Sequence, residues 1–172
     1  MPANLIRITY ASTATFKTDI EGGIESEVAR ILLQSRRNNS KIAVGGVLHY
    51  GEGYFFQCLE GEESKVTETL QRIAQDSRHR DIKVLTKSPI QRRLFTDWSM
   101  KYLALEKNLM AVMEQHGLDN FNPYEFSAPL IDELLKVCAL GIEPKAFASK
   151  QSPSLEAERP WWKRWLGVSQ AS

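Results

Sequence analysis

A phenol and a primary amide, Tyr10 and Gln57, are the two side chains of this sequence that an apolar core does not explain. Each falls in step with the apolar residues of an alternating run. Tyr10 follows Ile6 and Ile8 on one face of residues 5–12, and Gln57 stands between Phe55 and Leu59 on one face of residues 54–60. A buried primary amide has donors and acceptors to satisfy, and each one left unmade costs about 1–3 kcal/mol. Either residue alone is ordinarily satisfied by a neighbour or a water. The two together, beneath two helices, point to the polar edge of a ligand.

The remaining polar candidates have plainer readings. Asn38 and Asn39 are expected just past the first helix, as a stop, since Asn readily takes the left-handed conformation there. Arg72 and Asp76 are spaced i,i+4 on the second helix, the pattern of a weak surface ion pair. His79 follows Arg78 in an expected loop, and His49 and His116 stand apart from it, so no metal-ligand spacing arises. Cys58 and Cys138 lack CxxC spacing and read as small buried apolar groups. There is no GxGxxG, no Walker loop and no local Ser/His/Asp arrangement. Local signals for hydride transfer, phosphoryl transfer or hydrolysis are therefore missing, and an enzyme is not expected.

The elements that must position Tyr10 and Gln57 follow from periodicity. Residues 5–12 and 44–50, 54–60 and 82–88 read as strands, with a hairpin at Gly51-Glu52-Gly53 and a stop at Pro89. A short fifth strand is expected at 97–103, with Trp98, Met100 and Tyr102 on one side. Ile24, Val28, Ile31 and Leu32 mark a helix to about residue 37, and Val66, Leu70 and Ile73 mark another over 63–76. Strand, helix, strand, strand, helix, strand is the split βαβ order of the ferredoxin-like α+β sandwich. It predicts a mixed sheet with both helices on one face and the first and third strands as central neighbours. Residues 104–116 and 128–140 look helical and would cover the second face of the sheet, which also carries apolar residues.

Bulk properties bound the rest. Of 172 residues, 42% are hydrophobic and 25% charged, which is ordinary globular usage. Lys and Arg number 22 against 21 Asp and Glu, so the basic excess that direct nucleic-acid binding needs is missing. No basic leader followed by an apolar run opens the chain, and no apolar stretch approaches membrane-spanning length. A reduced, cytoplasmic protein without a transmembrane segment is expected.

Six groups of residues, in order and at matching spacing over about residues 4–104, resemble the BLUF family, the module that senses blue light using FAD. They are Tyr10-Ala11-Ser12, Arg37-Asn38-Asn39, Gly46-Val47-Leu48, Phe55-Phe56-Gln57 with Leu59-Glu60-Gly61, Asp76 with Arg78-His79, and Trp98-Ser99-Met100. The resemblance implies FAD held between the two helices. It implies that Tyr10 is the redox-active tyrosine, Gln57 the switching glutamine and Asn39 the asparagine that bonds the flavin ring. Arg72 and Asp76 would lie beside the flavin, and Trp98 and Met100 would carry signal output. The family commonly has Thr where this chain has Gly45, which removes a hydroxyl near the second strand.

The chain is expected to divide into a flavin-binding domain at 1–104, a helical extension at 105–147, and, from the polar, proline-containing stretch that follows, a flexible linker with a Trp-rich tail at 148–172. The region after 105 resembles the two-helix extension of short BLUF proteins. Output is then expected through a protein partner or between copies of the chain, as a homo-oligomer. Trp161, Trp162 and Trp165, beside Lys163 and Arg164, are expected to form a docking segment over residues 159–168 for a partner protein or a neighbouring subunit, with folding back onto the chain's own domain as the alternative. The competing reading is a colourless ferredoxin-like module, a small ligand-binding or hydrolytic domain, in which Tyr10 and Gln57 are core groups or contact another ligand.

Overall fold

The alternating runs are strands, and they make one sheet. The computed structural model describes residues 4–16, 26–96, 100–102 and 107–140. In chain order these hold β1 (Leu5–Ala14), α1 (Ser26–Lys41), β2 (Gly45–Gly51), β3 (Tyr54–Glu62), α2 (Glu63–Ala74), β4 (His79–Pro89), β5 (Lys101–Tyr102), α3 (Lys107–Gln115) and α4 (Ala128–Leu140). The strand order is β4-β1-β3-β2-β5, with β1 and β3 adjacent and central as expected. The pairs β4–β1, β1–β3 and β3–β2 are antiparallel, and β2–β5 is parallel, so the sheet is mixed.

Period-two alternation sends every second side chain of the central strands to one face. Ile6, Ile8 and Tyr10 of β1 and Phe55 and Leu59 of β3 meet Val28, Ile31 and Leu32 of α1 and Val66 of α2. Phe56 and Cys58 of β3 and Val47 of β2 face the other way, onto Val112 and Met113 of α3 and Leu130, Ile131, Leu134 and Leu135 of α4. The second apolar face of the sheet is covered by the helical pair, as expected, and both cysteines are buried. Tyr124, in the 3-10 turn Pro123–Glu125 between α3 and α4, fastens this layer to the sheet edge. Its hydroxyl donates to the Asp81 carbonyl at 2.8 Å and lies 2.9 Å from the Thr13 hydroxyl.

Two backbone positions hold β2 and β3 together. Glu52 and Gly53 have φ of 51° and 81°, as a two-residue type I′ hairpin requires. At Gly46 a Cβ would stand 1.9 Å from the carbonyl oxygen of Cys58, so only glycine lets β2 approach β3 there. On the α3–α4 face, Glu60 is fully buried. One carboxylate oxygen accepts from Arg7 Nε at 2.5 Å, and the other from the backbone N–H groups of Leu94 and Phe95 at 2.8 and 3.1 Å. Glu60 thus ties β3 both to β1 and to the segment that leads to Met100.

Several boundaries differ from expectation. Helix α1 does not stop at residue 37 but runs to Lys41, so Asn38 and Asn39 lie inside its last turns. The stop comes later: the Asn39 carbonyl accepts from the N–H of both Ile42 and Val44, and Ala43 takes a positive φ of 54°. Strand β4 begins at His79 rather than 82, because β1 continues to Ala14 and pairs Ala14 with His79. His79 is therefore a strand residue, not a loop residue. Helix α2 ends at Ala74, which leaves Asp76 beyond it. Of the expected fifth strand, Lys101–Tyr102 pairs with β2 and Met100 precedes it, while Trp98 lies outside the described residues. The tail with Trp161, Trp162 and Trp165 also lies outside them.

Candidate functional site

Tyr10 and Gln57 are directly paired across β1 and β3 in the backbone register. Both point to the face covered by α1 and α2, and both are buried, at 0% and 2% exposure. The Tyr10 hydroxyl donates to Gln57 Oε1. The Gln57 amide then donates from Nε2 to the Met100 sulfur at 3.5 Å. Met100 is in turn bound to α1, its carbonyl accepting from Arg36 Nε at 2.9 Å. A continuous polar thread therefore runs from β1 through β3 to the residue before β5 and back to the first helix. Burial, with the Asp76 charge adding to it, raises the Tyr10 pKa far above the ordinary phenol value, so its proton stays on oxygen.

Above this thread a cavity of about 120 Å³ opens between α1 and α2. Asn38, Asn39, Gln57, Thr69, Arg72 and Asp76 are among its lining residues. Tyr10 is joined to this wall by its hydrogen bond to Gln57. Asn39, expected as a helix stop, is instead a buried wall residue at 3% exposure.

The expected Arg72–Asp76 pair is replaced by another. Arg72 Nη2 donates to Thr69 Oγ1 at 3.1 Å. Asp76 takes Arg78, with Nη2 to Oδ2 at 2.6 Å and Nε to Oδ1 at 2.9 Å, and it also accepts the Arg78 backbone N–H at 2.9 Å. The Arg78 hydrogen bond holds the Asp76 carboxyl below its usual range despite partial burial. Arg78 Nη2 reaches further, to Gln34 Oε1 on α1 at 2.7 Å, and so spans from the turn after α2 to the other helix. His79 completes this wall. Its Nδ1 lies 2.9 Å from Ser12 Oγ, its ring lies 4.5 Å from that of Phe55, and burial lowers its pKa to about 4.

Gln34, Arg78 and His79 are wall residues that spacing alone did not single out for the site. Their signal is the strand register: once β4 starts at His79, that side chain falls beside Ser12 on the face that holds Tyr10. Among the described residues no group of His, Cys, Asp and Glu is placed to hold a metal. No helix among them is long and apolar enough to cross a membrane. The donor set suits a planar, carbonyl-bearing ring system: amide groups of Asn38, Asn39 and Gln57 for ring edges, Ile31 and Ile73 for ring faces, and Arg72 and Arg78 for anionic substituents.

The family model of sensors of blue light using FAD matches residues 5–101. Among curated proteins, the photoactivated adenylate cyclase subunit beta of Euglena longa is 33% identical over 98 residues, which is 57% of this chain and 11% of that protein. The corresponding subunit of Euglena gracilis matches to the same extent. The chain thus spans about a tenth of these relatives' length. Among solved structures, the photo-activated state of BlsA is 30% identical with a TM-score of 0.73, covering 82% of this chain and 99% of that one. The dark-state structure of BlrB, a BLUF protein, is 26% identical with a TM-score of 0.67, covering 83% and 100%.

Proposed function

The chain belongs to the BLUF family, the sensors of blue light using FAD, and from that premise we propose that Tyr10 and Gln57 are its photoactive pair. The observation that carries this reading is the hydrogen bond from the buried Tyr10 hydroxyl to Gln57 Oε1, with the amide forming the cavity wall between α1 and α2. Asn39, Gln57, Arg72 and Asp76 would hold FAD there, the amides at ring edges and Arg72 toward the anionic chain. Tyr10 takes part through its hydrogen bond to Gln57. When bound, a flavin excited by blue light supplies a strong electron acceptor.

The protein's own part is to move and hold a proton. Tyr10 is kept neutral by burial, and its proton already lies on the line to Gln57 Oε1. Loss of an electron makes a phenol strongly acidic, so the proton leaves along that bond, and it returns when the electron returns. The amide that carried it can come back with donor and acceptor exchanged. In that arrangement Nε2 no longer faces the Met100 sulfur, and an oxygen acceptor there gains nothing from a thioether. Met100 thereby loses its hydrogen bond from Gln57 and keeps the one its carbonyl accepts from Arg36. A ligand shifts an equilibrium only through differential contacts, and Met100 supplies such a contact between the two amide orientations.

Signal output is then a change in the segment from Phe95 to Tyr102, with Trp98 and Met100 as its carriers, passed to a protein partner or to another copy of the chain. The Trp161, Trp162 and Trp165 segment is the chain's own contact element. The fold is a sensor module and not an enzyme; the cyclase activity of the longer relatives belongs to those proteins. The direct test is illumination of the purified, flavin-loaded protein. A reversible red shift of the flavin band is expected. Purified protein that takes up no flavin, or whose spectrum is unchanged by blue light, would instead support the colourless-module reading.

A further inference from the structure

Two features stand outside the light-sensing site, and their chemistries match. The first is a groove of about 180 Å³ between α3 and the β2–β3 turn. Met110, Met113 and Phe121 form its apolar surface, and Glu52, Glu114 and Asp119 set three carboxylates around it. Among the described residues none of these carboxylates enters an ion pair. Met110 is 56% exposed, one of the few large apolar side chains left on the described surface. Methionine surfaces adapt readily to apolar partners of varied shape. The second feature is the run Arg159-Pro160-Trp161-Trp162-Lys163-Arg164-Trp165, with three large apolar rings and three cations.

We propose that residues 159–168 dock into this groove on their own chain, tryptophan rings against Met110, Met113 and Phe121, and cations against Glu52, Glu114 and Asp119. Reach does not limit this. Twenty residues separate Leu140 from Trp161, and fully extended they span about 66 Å. A folded body of about 140 residues has a radius of gyration near 14 Å. The tail can therefore visit any face, and the match of charge and apolar surface selects this one. Each ring covers roughly 150–250 Å² on burial, enough for two of them to occlude the exposed methionine. A tether of this length also keeps the segment near its groove at a high effective concentration. Docking beside Glu52 places the tail against the turn that opens β3, five residues before Gln57. The inference rests on this surface alone and stands or falls independently of the photochemistry.

The test is the rate of Met110 oxidation by dilute hydrogen peroxide in the full chain, read by peptide mass spectrometry. Replacing Trp161, Trp162 and Trp165 together by Ser should raise that rate about tenfold, the protection expected when a roughly millimolar effective concentration acts on a contact of about 0.1 mM affinity. Glu114→Lys with Asp119→Lys should raise it similarly, and adding Lys163→Glu with Arg164→Glu should restore protection. Protection that does not change on dilution supports docking within one chain. Protection lost on dilution would assign the groove to a second copy's tail and overturn the intramolecular arrangement. Equal oxidation in the wild-type and Trp-substituted chains would overturn the proposal altogether.

Discussion

His79 should make the protein acid-sensitive in a defined window. The side chain is 8% exposed, packed on Phe55 and bonded to Ser12 Oγ. Burial lowers its pKa from 6.5 to about 4, partly offset by the Asp76 charge and reinforced by Arg78. As the pH falls below 6.5, the unfolded chain therefore takes up a proton that the folded chain refuses. Stability is fully present above 6.5 and is lost progressively down to about 4, where the folded state also protonates. The gap of 6.5 − 4 = 2.5 pH units corresponds to about 3 kcal/mol at 1.36 kcal/mol per unit. Asp76 does not confuse the window, since its pKa is lowered from 3.8 and its contribution is lost only at still lower pH. Urea unfolding of wild type and His79→Gln between pH 4 and 7.5 measures this. The glutamine can still bond Ser12 but cannot titrate, so the difference between the two should shrink by about 3 kcal/mol across the window. Parallel pH profiles for the two proteins would show that His79 is not held neutral by burial.

The site makes four further predictions. Tyr10→Phe should retain flavin and lose the reversible red shift under illumination, while chemical denaturation shows a cost of about 1–3 kcal/mol from the Gln57 oxygen left without its donor. Gln57→Leu should likewise bind flavin and lose the normal photocycle; a full wild-type spectral response would remove the glutamine from the mechanism. Asn39→Ala should act on retention instead, lowering the flavin content of purified protein, because the amide lines the cavity wall. Glu60→Ala should cost about 3–5 kcal/mol in urea unfolding, because it strands a partly buried arginine and two backbone N–H groups. The Glu60 variant's light-induced shift, if the protein stays folded, should persist, since Glu60 lies on the opposite face of the sheet from Gln57.

Strand parity made the central pair legible. Tyr10 and Gln57 each continue an apolar face, and the split βαβ order makes their strands neighbours; the register that sets the two directly opposite is supplied by the structure. The cover over the second face was legible for the same reason, because Phe56 and Cys58 alternate with Phe55 and Gln57. The turn after α2 was not. Asp76 stands four residues after Arg72 and mimics a helical ion pair, yet it accepts the backbone N–H two residues on, an Asx turn that a charge-spacing rule does not register. His79 was misplaced for a related reason. The start of β4 depends on how far β1 continues, and the irregular register at Thr9/Tyr10 and Ala11/Thr13 hides that from simple alternation.

The end of α1 is the instructive miss. Counting apolar residues ends α1 near Arg37, because Arg36 through Lys41 hold none. Yet Val28, Leu32, Ser35 and Asn39 follow one another at steps of four, three and four, so Asn39 occupies the next place on the buried stripe. An asparagine at a position that helical geometry reserves for a core residue must have its amide answered, or the helix loses stability. Gln57 on β3 and Tyr10 on β1 likewise occupy core positions of their strands and need their polar groups answered. In all three the periodicity is kept and the residue type is changed, which separates a site from a surface: a surface polar residue breaks the pattern, whereas these obey it. Polar groups that obey an apolar pattern on three adjacent elements converge on one volume, and here that volume is the cavity between the helices and the thread beneath it.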